Sequence, residues 1–182
     1  MVIRIRLRSN SHLFLGKIFK EHKIKMMKKV LIALDYDPTA QKIAADGYSL
    51  ANSMGAEVVL LHVIADGTYY SSLEYKPITG FFGFTETDLS NIVDPDGLRN
   101  AVMHFLDKTK KHLADDNIQT VVKEGDFAEC ILKAAKDMHV DIIVMGSHSR
   151  SWLEEILMGS VTEKVLQHTT IPLFIIPTKK QK

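Results

Sequence analysis

Cysteine is almost absent from this chain. Cys130 is the single cysteine among 182 residues, so a disulfide within the chain and a zinc site built on several cysteines are both excluded. Cys130 stands in an apolar stretch from Phe127 to Met138, where a cysteine typically serves as a small buried hydrophobe. A reactive thiol is the alternative for this residue.

Long apolar runs are missing as well. No segment approaches the roughly 18 consecutive apolar residues that a membrane span needs, so we expect a soluble, cytoplasmic protein with no membrane partner. The 182 residues suffice for one well-buried α/β domain and are short for two.

The chain as a whole also lacks a surplus of charge of one sign, since its net charge is +1. The balance hides an asymmetry. Residues 1–29 carry nine Lys or Arg and one Glu, whereas the rest of the chain carries fourteen basic and twenty-one acidic side chains. An acidic body of this kind gives no indication of a nucleic-acid partner.

The basic head, residues 1–26, has three interpretations. A targeting segment is disfavoured because Gly16 and Lys17 interrupt its apolar part and no small-residue cleavage site follows. A basic amphipathic arm is the second interpretation. The third is that Met26 or Met27 is the natural start. We divide the chain into this extension, one domain over 27–178, and a basic tail over 179–182.

Apolar runs alternate with helical patterns through the domain. Short, nearly continuous apolar runs are typical of parallel strands buried on both faces. The predicted strands cover 29–34, 57–63, 118–123, 141–145 and 173–176, and the predicted helices cover 38–54, 95–114, 127–138 and 160–168. Five strands alternating with four helices predict a doubly wound α/β fold.

Three local signals refine these boundaries. Asp37 before Pro38, and Asp126 with Glu129 three residues later, are typical of capped helix starts. Gly55 is expected to end the first helix. Prolines flank the last strand on both sides, which predicts a position at the edge of the sheet.

The connection over 66–97 is long for a compact domain and rich in aromatic residues. Connections of this length are usually functional lids, partner surfaces or mobile insertions. The alternative is that its aromatic side chains fold back on the domain as a small satellite cluster.

The most informative stretch runs from Val140 to Val161. An apolar run ends at Gly146, a polar loop follows, and Gly159 stands directly before Ser160, with Glu163 three residues later. The spacing of Ser160 and Glu163 predicts a capping box at the start of a helix. Backbone N–H groups and the positive end of a helix dipole then converge on one point, which predicts an anion site.

This stretch resembles the nucleotide-binding signature of the universal stress protein family. The signature is a glycine, two residues, a glycine, nine residues, and then Gly-Ser or Gly-Thr. Here Gly146, Gly159 and Ser160 match, and Ser149 replaces the second glycine. The resemblance covers about residues 28–177. It implies a five-stranded parallel sheet of order 3-2-1-4-5 with helices on both faces, as in adenine nucleotide alpha hydrolase-like proteins.

The resemblance also implies roles for individual residues. Asp35 matches the acidic residue near the ribose or phosphate, acting directly or through a metal such as Mg²⁺. Val63 matches the residue whose backbone meets the adenine, and Ala33 stands where ATP-binding members often carry proline. The expected nucleotide-binding residues are Asp35, Val63, Met145, Gly146, Ser149, Arg150, Gly159, Ser160 and Val161. The last strand, Leu173–Ile176, matches the element through which family members form homodimers.

Glycine suits such a loop because its backbone can approach oxygen closely and adopt positive φ. Catalytic signals are weak by comparison. The chain has no Walker lysine and no Ser-His-Asp spacing, so we assign no catalytic residue. His62 lies within a predicted strand, where a histidine with satisfied hydrogen bonds in the core or at its rim is expected. His148 is the one histidine in the motif loop.

Three functions remain open from the sequence. The first is a stress-response regulatory module that binds ATP or another adenine nucleotide. The second is a stress protein without nucleotide that acts through protein partners, in which Ser149 and the 66–97 connection would be the relevant features. The third is a slow ATPase, with His148 as the candidate group.

Overall fold

The structure, a computed structural model, describes residues 28–35, 39–65, 95–147 and 158–178. The strands are β1 (Lys29–Ala33), β2 (Glu57–Ile64), β3 (Gln119–Glu124), β4 (Ile142–Gly146) and β5 (Leu173–Ile176). The helices are α1 (Ala40–Ser53), α2 (Pro95–His112), α3 (Phe127–Asp137) and α4 (Ser160–His168). The predicted alternation is confirmed, and each strand lies within about one residue of its predicted bounds.

The five strands form one parallel sheet in the order β3-β2-β1-β4-β5, which confirms the predicted topology. The chain passes from β1 outward to β3 and then crosses back to β4 on the other side of β1. The strand order therefore reverses between β1 and β4, whose register ends at the pair Ile32 and Val144. In sheets of this kind, ligands bind beyond the carboxyl ends of the strands at that reversal.

Each face of the sheet carries its own core. One face packs under α1 and α2, with fully buried side chains such as Ile43 and Phe105. The other face packs under α3 and α4, with Ile131 and Val165 at its centre. Because alternate residues of each strand point to opposite faces, strands buried on both faces must be apolar throughout. This explains the continuous apolar runs in the sequence.

Two predicted helix boundaries are confirmed in detail. The side chain of Asp126 accepts a hydrogen bond from the Glu129 N–H at 2.9 Å and caps α3. Gly55 has φ +61°, and its N–H together with that of Ala56 closes the end of α1. Glycine tolerates that left-handed conformation without the strain a Cβ would bring.

The predicted start of the first helix is wrong. α1 begins at Ala40, and Thr39 precedes it in a helical conformation with no side-chain cap bond. The expected capping pair, Asp37 and Pro38, lies outside the described residues. The sequence signal therefore placed the start of this helix about two residues too early.

β5 lies at the edge of the sheet, as its flanking prolines predicted. Phe174 in this strand is 44% exposed. Nowhere in the described ranges is a helix long and apolar enough to cross a membrane. The basic head, residues 1–26, and most of the 66–97 connection lie outside the described residues.

Candidate functional site

The predicted site residues before the loop gather at the carboxyl edge of the sheet. Asp35 is exposed and follows the end of β1. Continuing the register from Ile32 and Val144 brings Asp35 alongside Ser147, directly beyond β4. Val63 lies near the end of β2, one strand further along, and is buried.

The start of α4 lies at the same edge, because hydrogen bonds join it to the end of β4. The Gly159 N–H donates to the Ser147 carbonyl at 3.3 Å. The hydroxyl of Thr162 donates to the Gly146 carbonyl at 2.9 Å, and Thr162 is buried. These two bonds fix where the first turn of α4 lies relative to β4.

The predicted capping box at Ser160 is wrong. Gly159, with φ −61° and ψ 146°, is the N-cap, and no side chain of the described residues caps this helix. Ser160 is instead the first helical residue. The Glu163 carboxylate, which the box would require to fold back, accepts a bond from Gln167 one turn further along.

An N-cap without a side chain has a chemical consequence. The first N–H groups of any helix have no partner within the helix, and the helix dipole places partial positive charge there. Both features favour an anion. The backbone of Ser160 and Val161, both predicted binding residues, belongs to this first turn.

Side chains from distant parts of the sequence pack closely around Gly146, which the sequence alone did not indicate. A Cβ at this position would lie 2.5 Å from Cδ1 of Ile43 and 3.0 Å from Cγ2 of Thr178. Gly146 is also absent from the glycines with positive φ among the described residues. Close packing of the Ile43 and Thr178 side chains against β4, rather than a left-handed turn, therefore favours glycine here, since a Cβ would force these side chains to shift.

Ser147 links the site to the last segment of the chain. Its hydroxyl accepts a hydrogen bond from the Thr178 N–H at 3.2 Å and lies 3.4 Å from the Thr178 hydroxyl. Its own N–H donates to the Ile176 carbonyl. Met145, the residue before Gly146, is buried under α3 and α4, so its side chain packs in the core beneath the site.

The remaining predicted binding residues belong to the centre of the motif loop. Ser149 and Arg150, both predicted to bind nucleotide, and His148 lie outside the described residues. The predicted binding set therefore divides into a strand-end group, a helix-start group around Gly159, and a loop group without a structural account. The roles of all nine residues stay predictions.

His62, for which the sequence predicts a satisfied core or rim position, is buried near the end of β2. His62 is 4% exposed, and its Nδ1 lies 2.8 Å from the Leu34 carbonyl, so Nδ1 donates the bond. The ring of Phe105 meets the imidazole edge-on. Burial lowers the pKa of His62 to about 4, so the ring is neutral at neutral pH. The hydrogen bond from Nδ1 to the Leu34 carbonyl links the end of β2 to the end of β1.

The start of α3 lies at the same edge and is differently equipped. The Lys164 ammonium lies 3.1 Å from the Asp126 carboxylate. The Glu129 N–H and Lys164 both lower the pKa of Asp126.

Cys130 is half-buried and donates to the Glu124 carbonyl at 3.4 Å, and burial raises the pKa of its thiol. Within the described part of the chain, no three His, Cys, Asp or Glu side chains form a metal-binding group.

The fold and this edge define a class of protein: doubly wound α/β domains with a ligand site where the strand order reverses. Within that class, the model of the universal stress protein family matches residues 26–177. The chain belongs to the universal stress protein family.

Relatives support the same conclusion. Universal stress protein MJ0577 of Methanocaldococcus jannaschii is 31% identical over 162 residues, covering 85% of this chain and 97% of that protein. Universal stress protein YxiE of Bacillus subtilis is 31% identical over 156 residues, covering 83% of this chain and 99% of that protein.

Solved structures agree in fold. The structure of MJ0577 superposes with a TM-score of 0.62, covering 86% of this chain and 99% of that chain. A universal stress protein solved in complex with cAMP has a TM-score of 0.55, covering 85% of this chain and all of that chain. It is 15% identical to this chain, so that likeness concerns the fold alone.

Proposed function

We propose that this protein binds an adenine nucleotide, with ATP as the principal ligand, and works as a regulatory module in a stress response. One observation carries the proposal. The first turn of α4 receives no side-chain cap from any residue that the structure describes and is bonded to the end of β4, where the strand order reverses. Membership in the universal stress protein family supports the choice of a nucleotide as the anion.

The described residues suit the parts of ATP in different ways. The phosphates would lie against the N–H groups of Ser160 and Val161, since the first N–H groups of a helix have no partner within the helix and attract anions. The base would meet the backbone near Val63. A Mg²⁺ ion bound with the nucleotide would take most of its ligands from phosphate and water, so the single carboxylate of Asp35 is a sufficient protein ligand.

The cAMP complex is a reason to keep the nucleotide class broad. The protein in that complex shares the fold, and a cyclic phosphate presents the same anionic oxygen atoms to a helix start as a linear one. The first experiment therefore identifies the ligand without assuming it. The purified protein is denatured, and the released small molecules are identified by mass spectrometry.

Thermal unfolding then tests binding directly. A ligand that binds the native state alone raises the melting temperature in proportion to the logarithm of its concentration. We expect a rise with ATP at millimolar concentration and a smaller rise with inorganic phosphate. The absence of any rise with ATP, ADP, AMP or cAMP would contradict the proposal and favour a stress protein that acts through protein partners.

We further propose a homodimer formed through β5. This strand pairs with β4 on one side, and within the described residues its other side has no strand partner. Its side chains are all apolar, and Phe174 is 44% exposed. An unprotected apolar edge tends to pair with another strand, and a two-fold axis lets two copies satisfy each other.

Sedimentation measures this association. Phe174→Asp should shift the protein from dimer to monomer at tens of micromolar. Met103→Asp, at an exposed apolar position on α2, is the matched control and should leave the dimer intact. A wild-type protein that sediments as a monomer would contradict the dimer and leave the nucleotide proposal untouched.

A further inference from the structure

The Thr162 hydroxyl makes a bond that the family signature does not include. Thr162 is the third residue of α4, is 3% exposed, and donates to the Gly146 carbonyl at 2.9 Å. The register between β1 and β4 ends at Val144, so Gly146 lies beyond the last residue pair of these two strands. Gly146 stays in register with Ile176 of β5 on the other side, and the Thr162 hydroxyl bonds its carbonyl to α4.

The bond spans the two elements that the proposed nucleotide site needs. Gly146 ends β4, and Thr162 lies in the first turn of α4. The Gly159 N–H reaches the Ser147 carbonyl at 3.3 Å, which is longer than the 2.9 Å bond from Thr162. The Thr162 bond is therefore the shorter of the two hydrogen bonds between the end of β4 and the start of α4.

We infer that Thr162 is a positioning residue for nucleotide binding, which holds the first turn of α4 at the distance from β4 that the phosphates require. The inference rests on the proposed function. Thr162 acts through the backbone: its side chain is spent on the Gly146 carbonyl, while the N–H groups of the same turn face the anion. A preorganised helix start binds more tightly because the ligand does not have to order it.

Thr162→Val tests this inference, since valine keeps the shape of threonine and removes the hydroxyl. The Kd for ATP should rise about tenfold, which corresponds to a lost hydrogen bond of ordinary strength. Thr162→Ser restores the hydroxyl and should return the Kd to within about threefold of wild type. A purely structural role predicts a lower melting temperature without a change in the Kd measured well below it.

Thr109→Val is the matched control. Thr109 is equally buried, and its hydroxyl donates to the Phe105 carbonyl at the same 2.9 Å, within α2. This variant should lower stability and leave the Kd for ATP unchanged. An equal rise of the Kd in Thr109→Val and Thr162→Val would overturn the positioning role, because general loosening of the fold would then explain both.

Amide hydrogen exchange gives a second measurement that needs no nucleotide. Thr162→Val should speed the exchange of the Gly159 and Glu163 amides, whose bonds to the Ser147 and Gly159 carbonyls depend on the placement of the turn. Unchanged exchange at both amides would overturn the inference. Failure of wild type to bind ATP overturns the proposed function, whereas wild-type binding that Thr162→Val leaves intact overturns this inference alone.

Discussion

The helices α3 and α4 both begin at the carboxyl edge of the sheet, and they begin in different ways. The residues before them have nearly the same backbone conformation: Asp126 has φ −63° and ψ 129°, and Gly159 has φ −61° and ψ 146°. Asp126 caps α3 with its carboxylate and is held by Lys164. Gly159 offers α4 no side chain.

The two helix starts therefore differ in what can neutralise their partial positive charge. At α3 the protein supplies its own anion, so the helix start is neutralised internally and bonded to α4 through Lys164. At α4 no described side chain supplies one, and the helix lies at the strand-order reversal. A helix start that is capped contributes stability, whereas one without a cap gives up that stability and leaves room for a ligand.

The largest expected effect is that of acid on the free energy of unfolding, because His62 lies at the edge of the sheet where α3 and α4 begin. His62 has a folded pKa of about 4, against an ordinary 6.5, so the unfolded state binds the proton first as the pH falls. The free energy of unfolding should fall by about 3 kcal/mol between pH 7 and pH 4. Urea unfolding across this range measures the loss.

Two variants isolate the contribution of His62. His62→Gln should flatten the pH dependence between pH 6.5 and 4, because no imidazole is left to charge in the core. His104→Gln alters an exposed histidine on α2 and should leave the wild-type slope in place. An unaltered slope in His62→Gln would show that the acid sensitivity comes from another group.

Placing an aspartate cap at the start of α4, as at the start of α3, should make this helix more stable and weaken its binding of ATP. In Gly159→Asp the backbone already has the conformation that Asp126 adopts, so the new carboxylate can accept from the first turn. The helix should gain about 1 kcal/mol of stability. The Kd for ATP should rise at least tenfold, on the order of 1.4 kcal/mol or more, because the carboxylate occupies the donors and repels phosphate.

Calorimetric titration and thermal unfolding of Gly159→Asp should therefore move in opposite directions. Gly159→Asn is the control, since it places a neutral cap at the same position. Its affinity should fall between those of wild type and Gly159→Asp. Full ATP binding by Gly159→Asp would show that the nucleotide does not use the start of α4.

Removing the cap of α3 sharpens the comparison from the other side. Asp126→Ala should lower the free energy of unfolding by about 1 kcal/mol and leave the Kd for ATP unchanged. Chemical unfolding and calorimetric titration check the two quantities. Loss of ATP binding in Asp126→Ala would mean that both helix starts contribute to the site.

The smallest effect concerns the ion pair between the two helices. Lys164 and Asp126 are both substantially exposed, and such pairs contribute about 0.5 kcal/mol or less. Lys164→Met should raise the pKa of Asp126 toward its ordinary value while the bond from the Glu129 N–H keeps it lowered. NMR titration of the Asp126 carboxyl carbon measures the change. A pKa unaffected by Lys164→Met would assign the lowering to the cap alone.

Much of the architecture could be predicted from the sequence. Nearly continuous apolar runs located β1, β2, β4 and β5, and strands that are largely buried, such as β1, β2 and β4, tolerate few polar residues. β3 has a mixed sequence and is only partly buried. The cap of α3 was predictable because Asp126 and Glu129 interact three residues apart. The bounds of α4 were predicted correctly, but its N-cap was assigned to Ser160 instead of Gly159, because glycine and serine are both acceptable N-caps.

The sequence by itself determined the alternation of strands and helices, the family and the chemical type of the motif, because these depend on residues close together in the chain. The tertiary structure alone decided why glycine is favoured at position 146, since Ile43 is about one hundred residues away in the chain but would contact a Cβ there. It also decided the bonds of His62 to Leu34 and of Thr162 to Gly146. Packing brings distant segments within bonding range, and no local pattern encodes which carbonyl a buried side chain will meet.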